Sequence, residues 1–209
     1  MILTAAEHET LSGAIAAAEM HTSGEVYCVV ARRSDSYLLP SAFVVTAIML
    51  VVSLGVAAML EWYWIVLRPS LFVAVQLAAL AGIVAVLWFA PGLRIRFVPR
   101  ALRYRRAHMM ATSQFLSRNI HRTTRRTGVL IFVSLAERYA EIVADAGIND
   151  RVPQERWNEM VAVLIDEAAA GRLANGLERT IEAVGMLLAA EFPPDSLNEN
   201  ELDDHVAEI

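Results

Sequence analysis

The stretch AFVVTAIMLVVSL, residues 42–54, decides the architecture of this chain because it lies inside a longer segment that carries no formal charge. Residues 36–60 contain no charged side chain, and neither do residues 69–93. A helix needs about 20 apolar residues, at about 1.5 Å each, to cross the hydrocarbon core of a bilayer. Both segments supply that length, so the sequence predicts a two-helix transmembrane hairpin over residues 38–93.

Aromatic residues mark the predicted membrane boundaries. Trp62, Tyr63 and Trp64 lie in the connection between the two segments, and Trp88 and Phe89 lie near the far end of the second. Rings of this kind favour the level of the lipid headgroups. The alternative is a helical hairpin buried in a soluble core, but two consecutive uncharged runs of this length are rare in soluble folds.

The arginines predict the orientation of this hairpin. Arg32 and Arg33 precede the first span, and the connecting loop contains only Arg68. Six more arginines follow the second span, namely Arg94, Arg96, Arg100, Arg103, Arg105 and Arg106. The positive-inside rule therefore predicts a multi-pass protein of the cell inner membrane with both termini in the cytoplasm. The expected partners are the lipid bilayer and a membrane protein.

Charge is distributed unevenly along the chain, whose formal net charge is -5. Residues 94–126 contain ten arginines and no acid, whereas residues 127–209 contain 17 acids and five arginines. The basic stretch has no nucleic-acid motif beside it and its position is explained by the spans, so we predict no nucleic-acid partner. All 18 basic residues are arginine, which excludes lysine Schiff-base chemistry and a phosphate-loop lysine.

The remaining sequence alternates between helical and strand patterns. Helices are predicted over residues 4–20, 101–121, 153–171 and 174–190, and strands over residues 25–31, 129–135 and 139–144. The first two strands are expected to be parallel and the last two to form an antiparallel hairpin. These elements predict an α/β fold, a small mixed sheet with helices on both faces that is interrupted by the transmembrane hairpin.

This pattern divides the chain into four parts. Residues 1–37 and 94–192 form two parts of one cytoplasmic domain, and residues 38–93 form the hairpin between them. The first 37 residues lack the basic start of a signal peptide, so the first span is expected to direct its own insertion. Residues 193–209 are acidic and poor in large apolar side chains, and we predict that most of this tail is disordered.

Strong catalytic motifs are missing from the sequence. The single cysteine, Cys28, lies in an apolar run and is interpreted as a buried hydrophobic residue. The five histidines show no metal-ligand spacing, and there is no Gly-x-Ser-x-Gly, Cys-x-x-Cys or glycine-rich phosphate loop. The catalytic residues, if the chain has any, are therefore unknown from the sequence, and no organic cofactor is expected.

The segments that follow the hairpin resemble the TPM domain family. The resemblance rests on the run TGVLIFVS at residues 127–134, followed by Glu137-Arg138, by AEI at 140–142 and by AGI at 146–148. TSGEV at residues 22–26 is similar to the start of the family's first strand, and GRLANGL at 171–177 is similar to its helix connection. The match covers about residues 4–190.

The resemblance to this family implies several further properties. Its members are often tethered to membranes, and some thylakoid relatives are linked with acid phosphatase activity and calcium binding, while many bacterial members have no assigned activity. The family often has Asp-Asn before the glycine that opens the second strand, whereas Arg126 and Thr127 precede Gly128 here. This departure counts against a carried-over metal site, because Ca²⁺ needs several oxygen ligands at one place.

The best candidates for a divalent metal site are Asp145, Asn149 and Asp150, on the loop after the third strand, with Glu25 as a neighbour from the first strand. Their oxygens could bind Ca²⁺ or Mg²⁺. The alternative, which we favour, is that Asn149 or Asp150 caps the helix predicted over residues 153–171 and that Asp145 only ends the strand. The leading hypothesis is therefore a membrane-anchored TPM-like interaction or accessory module at the cytoplasmic membrane face. The second hypothesis is a weak divalent-metal-dependent phosphatase.

Overall fold

A computed structural model of the chain describes residues 2–123, 126–194 and 205–209. The chain divides into two compact units, one formed by residues 1–34 and 104–209 and the other by residues 35–103. The second unit contains the whole predicted hairpin and the basic residues that directly follow it.

Four strands and eight α-helices build the two units within the described ranges. The strands are β1 (Glu25–Ala31), β2 (Gly128–Ser134), β3 (Tyr139–Ala144) and β4 (Val206–Glu208). The helices are α1 (Ala5–Glu19), α2 (Leu38–Trp62), α3 (Pro69–Phe89), α4 (Pro91–Arg94), α5 (Arg100–Ser117), α6 (Ala146–Asn149), α7 (Gln154–Ala169) and α8 (Leu173–Glu191). Two 3₁₀ turns cover Ile95–Phe97 and Ile120–Arg122.

The first helix begins as its sequence predicts. The hydroxyl of Thr4 accepts a hydrogen bond from the backbone N–H of Glu7, and the carboxylate of Glu7 accepts one from the backbone N–H of Thr4. This reciprocal capping box satisfies two donors that the first turn of a helix leaves free. Hydrogen bonds that the Glu7 carboxylate accepts from the backbone N–H and from the hydroxyl of Thr4 hold the pKa of Glu7 below its usual value.

The four strands form one mixed sheet in the order β3-β2-β1-β4. β1 and β2 are parallel, with Glu25 opposite Gly128, and β2 and β3 are antiparallel, with Val129 opposite Ala144. Both pairings agree with the sequence prediction. Every residue of β1 and β2 is buried. A central strand covered on both faces has no solvent-facing positions, which explains why β2 is apolar without interruption from Val129 to Val133.

Two hydrophobic cores lie on opposite faces of the sheet. Val26 and Cys28 of β1 pack with α1, α7 and α8, whereas Tyr27 and Val29 pack with α5. The alternation follows from the two-residue period of a strand. Helices therefore cover both faces, and the predicted α/β fold is confirmed. Cys28 is buried as predicted, and burial raises the pKa of its thiol to about 12.

The C-terminal tail differs from its prediction at its end. Val206–Glu208 forms β4, which lies parallel to β1 at the edge of the sheet, with Val206 opposite Cys28. The prediction of disorder overlooked this strand because three residues within an acidic tail show no strand pattern of their own. The part of that prediction that concerns residues 195–204 lies outside the described residues.

The unit of residues 35–103 is dominated by α2 and α3, which pack against each other. Both helices are long and apolar enough to cross a membrane, with mean hydropathies of 2.6 and 2.4 over their most apolar windows. In the most apolar 18-residue stretch of each helix, 0% of α2 and 6% of α3 is buried. They therefore differ from the core helices of a soluble protein, whose apolar faces are covered by neighbouring elements.

Candidate functional site

The loop after β3 places the first predicted metal ligand at a helix start. Asp145 is 5% exposed, and one oxygen of its carboxylate accepts a 2.6 Å hydrogen bond from the N–H of Ala146, the first residue of α6. Its other oxygen lies 3.6 Å from Nε of Arg126. The carboxylate therefore caps a short helix and pairs with a cation, and both of its oxygens face groups that compete with a metal ion.

The other two predicted ligands do not converge on Asp145. The side-chain amide of Asn149 donates a 2.9 Å hydrogen bond to the carbonyl of Ala144, and its backbone N–H donates to the carbonyl of Asp145. Asp150 is exposed and follows the end of α6. Asn149 thus closes the loop on itself. The capping alternative was wrong in its residues, because α7 begins after Pro153 and has no side-chain cap there.

Glu25, Gly128 and Asp145 lie in one row across the sheet. Glu25 is opposite Gly128 in the β1–β2 register, and the backbone N–H of Asp145 donates to the carbonyl of Gly128. Both acidic side chains are buried, so this end of the sheet contains two carboxylates separated by the residue that has no side chain. Ser23 and Thr127 connect the same two strands, since the hydroxyl of Thr127 donates to the carbonyl of Ser23 at 2.9 Å.

This arrangement fits a divalent cation poorly. In the described parts of the chain no three His, Cys, Asp or Glu side chains are close enough to hold a metal ion. Arg126, where the family often has an aspartate, brings a positive charge to Asp145 instead of a carboxylate. Because Ca²⁺ and Mg²⁺ take several oxygen ligands, a cation here would have to displace both the helix cap and the guanidinium.

At the opposite end of the sheet a buried carboxylate forms a network that sequence reasoning did not identify. Glu137, in the β2–β3 turn, is 2% exposed. It accepts hydrogen bonds from the backbone N–H of Ser34 at 2.9 Å and from the hydroxyl of Ser134, to which the hydroxyl of Ser34 also donates at 2.9 Å. A charged group in a tight turn normally faces solvent, so no pattern in the sequence pointed to it. The network fixes the point at which the chain leaves β1.

A second polar group lies on β3, on the face covered by α5. Nδ1 of His108 lies 2.9 Å and 3.0 Å from the two oxygens of Glu141, and the hydroxyl of Tyr139 donates to the same carboxylate at 2.9 Å. Burial is the largest cause that raises the pKa of Tyr139 above its ordinary value, and the hydrogen bond to Glu141 is the second. The tyrosine therefore stays protonated as a donor, and the group acts as a contact between helix and strand.

Within the hairpin unit, polar contacts connect or terminate the apolar helices. The side-chain amide of Gln76 in α3 donates to the hydroxyl of Ser53 in α2. The guanidinium of Arg94 donates to three backbone carbonyls, those of Leu87 at 2.7 Å, Trp88 at 3.1 Å and Ser36 at 3.2 Å. Arg94 thereby satisfies carbonyls that the end of α3 leaves free, and its charge complements the negative end of the helix dipole.

Another carboxylate with several partners lies in β4. Glu208 accepts 2.8 Å hydrogen bonds from the backbone N–H groups of Ile2 and Leu3, and lies 3.0 Å from Nε2 of His8. The bond from Leu3, then those from Ile2 and His8, lower the pKa of Glu208 to about 2. This contact joins the two ends of the chain.

The fold and these contacts define a small α/β domain with a mixed sheet, interrupted in sequence by an apolar helical hairpin. Residues 92–187 match the family model of the TPM domain, which confirms the resemblance found in the sequence over that part of the chain. No curated protein sequence matches the chain.

The chain is also similar to a solved structure, the NMR structure of the BA42 protein from the psychrophilic bacterium Bizionia argentinensis. The TM-score is 0.61 at 20% sequence identity, and the match covers 99% of this chain and 95% of that chain. A likeness at this identity supports the fold assignment and carries no activity with it.

Proposed function

We propose that this chain is a membrane-anchored TPM domain that acts as an interaction or accessory module at the cytoplasmic face of the cell inner membrane. The observation that supports the proposal most strongly is the uncovered apolar surface of α2 and α3. In the most apolar stretch of each helix, 0% of α2 and 6% of α3 is buried. Apolar patches of more than a few hundred Å² are rarely left in water by soluble monomers. A bilayer would cover both helices along their full length.

Charge next to the two helices supports the proposed orientation. Arg96, Arg100 and Arg105 are exposed and follow α3, whereas Arg68 alone is basic in the connection between α2 and α3. Arginines concentrate on the cytoplasmic side of a membrane, and they also attract anionic headgroups there. The proposal therefore places the TPM domain and both termini in the cytoplasm.

The contacts made by Asp145 and Asn149 on the loop after β3 favour the interaction module over a phosphohydrolase. Asp145 caps α6 and pairs with Arg126, and the side-chain amide of Asn149 is bonded to the carbonyl of Ala144. A divalent-metal-dependent phosphatase needs carboxylate oxygens that can bind the ion while a substrate phosphate is present. The phosphatase hypothesis thus requires the loop to rearrange.

One experiment separates the two hypotheses. The full-length chain, purified in detergent, is assayed for hydrolysis of p-nitrophenyl phosphate and for its thermal midpoint with Ca²⁺, with Mg²⁺ and with chelator. The module predicts no turnover and no rise in the midpoint with either ion. Turnover that is lost in Asp145→Asn and Asp150→Asn, but kept in Asp166→Asn on the exposed side of α7, would establish the phosphatase instead.

Membrane partners are identified by a second experiment. The tagged full-length chain is purified from native membranes in mild detergent, and proteins that accompany it are compared with those that accompany a variant lacking residues 36–93. The proposal predicts membrane proteins in the first sample only. A protein that stays in the aqueous fraction without detergent would contradict the anchoring itself.

A further inference from the structure

The outer edge of β1 is occupied by the last residues of the chain. β4 pairs with Cys28–Val30 in parallel, and two bonds extend the ladder beyond it. The backbone N–H of Ile209 donates to the carbonyl of Val30 at 3.0 Å, and the N–H of Arg32 donates to the carbonyl of Ile209 at 2.8 Å. An edge strand presents unpaired backbone groups that another extended segment can complete, and here a segment of this chain does so.

The side chains of residues 205–209, hereafter the C-terminal segment, alternate between the two faces of the sheet. Val206 is buried in the core that contains α1, and Ala207 is buried in the core that contains α5. The ring of His205 packs edge-on against Tyr27, with ring centroids 5.7 Å apart. Each face of the sheet therefore buries one side chain of the C-terminal segment. Peptides that add a strand to a sheet are recognised through such alternating side chains.

The strongest polar recognition is made by Glu208. Its two oxygens accept hydrogen bonds from the consecutive N–H groups of Ile2 and Leu3, both at 2.8 Å, and His8 lies at 3.0 Å. Charge-assisted hydrogen bonds of this kind are stronger than neutral ones and require a carboxylate at one position. The segment is therefore held by a backbone ladder, two small apolar side chains and one carboxylate.

These features are those of a bound peptide more than of a structural strand. β4 has only three residues and buries only Val206 and Ala207, both small, while Ile209 is partly exposed. Because apolar burial is the main stabilising term for a core strand, a segment with so little of it is held mostly by contacts that a separate peptide could also make.

We propose that the outer edge of β1, together with the N–H groups of Ile2 and Leu3, is a binding site for an extended peptide, and that the C-terminal segment is its resident ligand. The site selects a small aliphatic pair followed by a carboxylate. The proposal is independent of membrane anchoring, since every contact it uses lies within the unit of residues 1–34 and 104–209.

The test uses the full-length chain in detergent, a chain that ends at residue 204, and a synthetic peptide DDHVAEI that corresponds to residues 203–209. Removal of the segment is expected to lower the thermal midpoint by about 2–6 °C. It should also accelerate amide exchange at Leu3 and Arg32. Added peptide should reverse both changes in a saturable manner. Unchanged exchange after truncation, or peptide that fails to restore it up to millimolar concentration, would overturn the proposal.

The carboxylate is tested separately. The peptide with glutamine at the position of Glu208 is expected to bind the truncated chain at least about tenfold more weakly. If the truncated chain does not fold, the full-length Glu208→Gln variant decides instead. Leu3 should then exchange faster than in the parent chain, whereas Glu182→Gln, on the exposed side of α8, should exchange like the parent chain. Equal exchange in Glu208→Gln and Glu182→Gln would contradict the proposal.

Discussion

At the scale of single residues, Gly128 shows how one position fixes the start of a strand. A Cβ atom at this position would lie 2.4 Å from the carbonyl oxygen of Ile120 and 2.5 Å from its Cγ2. Ile120 is fully buried and belongs to the hydrophobic core on this face of the sheet. The glycine is required by this close approach of backbone to backbone, because any side chain would push the turn away from the sheet.

We therefore expect Gly128→Ala to destabilise the protein by about 2–3 kcal/mol, or to prevent its accumulation. Gly13→Ala is the matched control, because its added methyl group in α1 meets no atom within 4 Å. A helical glycine replaced by alanine gains about 0.5–1 kcal/mol. Thermal unfolding in detergent compares the two, and equal midpoints for both variants would contradict the packing described here.

Glu208 gives a prediction for the pH dependence of stability. Its pKa in the folded chain is about 2, below its ordinary value of 4.5, so folding favours the ionised carboxylate. The stabilisation is fully present above about pH 5 and disappears as the pH falls through the folded pKa. The difference in thermal midpoint between the parent chain and Glu208→Gln should be constant near neutrality and shrink in acid. A difference that grows in acid would contradict the assigned contacts.

At the scale of elements, the side chain of Arg94 contacts the end of α3. Arg94 donates to the carbonyls of Leu87, Trp88 and Ser36, which joins the end of α3 to the start of α2. These carbonyls lie next to the segment proposed to cross the membrane, where water is scarce and a missing donor is costly. Arg94 is thus the residue that closes the hairpin at this boundary.

Arg94→Ala is expected to lower the stability of the hairpin by about 2 kcal/mol, because charge-assisted bonds are lost and carbonyls are left without a donor. Exposed Arg96, two residues further along the chain, is the control for the loss of positive charge. Hydrogen exchange of α3 in lipid nanodiscs provides the measurement. Faster exchange near Leu87 in Arg94→Ala but not in Arg96→Ala is the expected result, and identical exchange would disprove the role of Arg94.

The elements also show how far the sequence alone leads. The apolar run of β2, the short turn and the return through β3 were predicted because pairing between neighbouring segments leaves a local pattern. β4 was not predicted, since its partner Cys28 lies 178 residues from Val206 and three residues have no measurable period. The network around Glu137 was missed for the same reason: its partner Ser34 is distant in sequence, and a glutamate in a turn resembles any solvent-facing acid.

The candidate site was only partly predictable. A capping role on this loop was the favoured alternative to metal binding, but it was assigned to Asn149 or Asp150. In the structure Asp145, which lies between a strand and a helix, is the residue that caps. The pairing of Asp145 with Arg126 was not foreseen, because a basic residue before a strand indicates nothing about which acid it will contact. Side-chain pairs between separate elements depend on the register of the sheet, which only the folded chain supplies.

At the scale of the whole molecule, one chain combines a TPM domain with a hairpin whose apolar surface is uncovered. β1 ends before the hairpin and β2 begins after it, yet the two strands pair along all seven residues. The hairpin is therefore an insertion that leaves the sheet intact, as expected for an insertion at an exposed loop.

The central claim, that α2 and α3 cross the membrane with the TPM domain in the cytoplasm, is tested most directly by cysteine labelling in intact cells. Val66 in the connecting loop is 95% exposed, Glu155 on α7 is exposed, and the native Cys28 is buried with a thiol pKa of about 12, so it contributes little background. A membrane-impermeant maleimide should label Val66→Cys before permeabilisation and Glu155→Cys only afterwards. Labelling of Glu155→Cys in intact cells, or recovery of the protein in the aqueous fraction, would contradict the account.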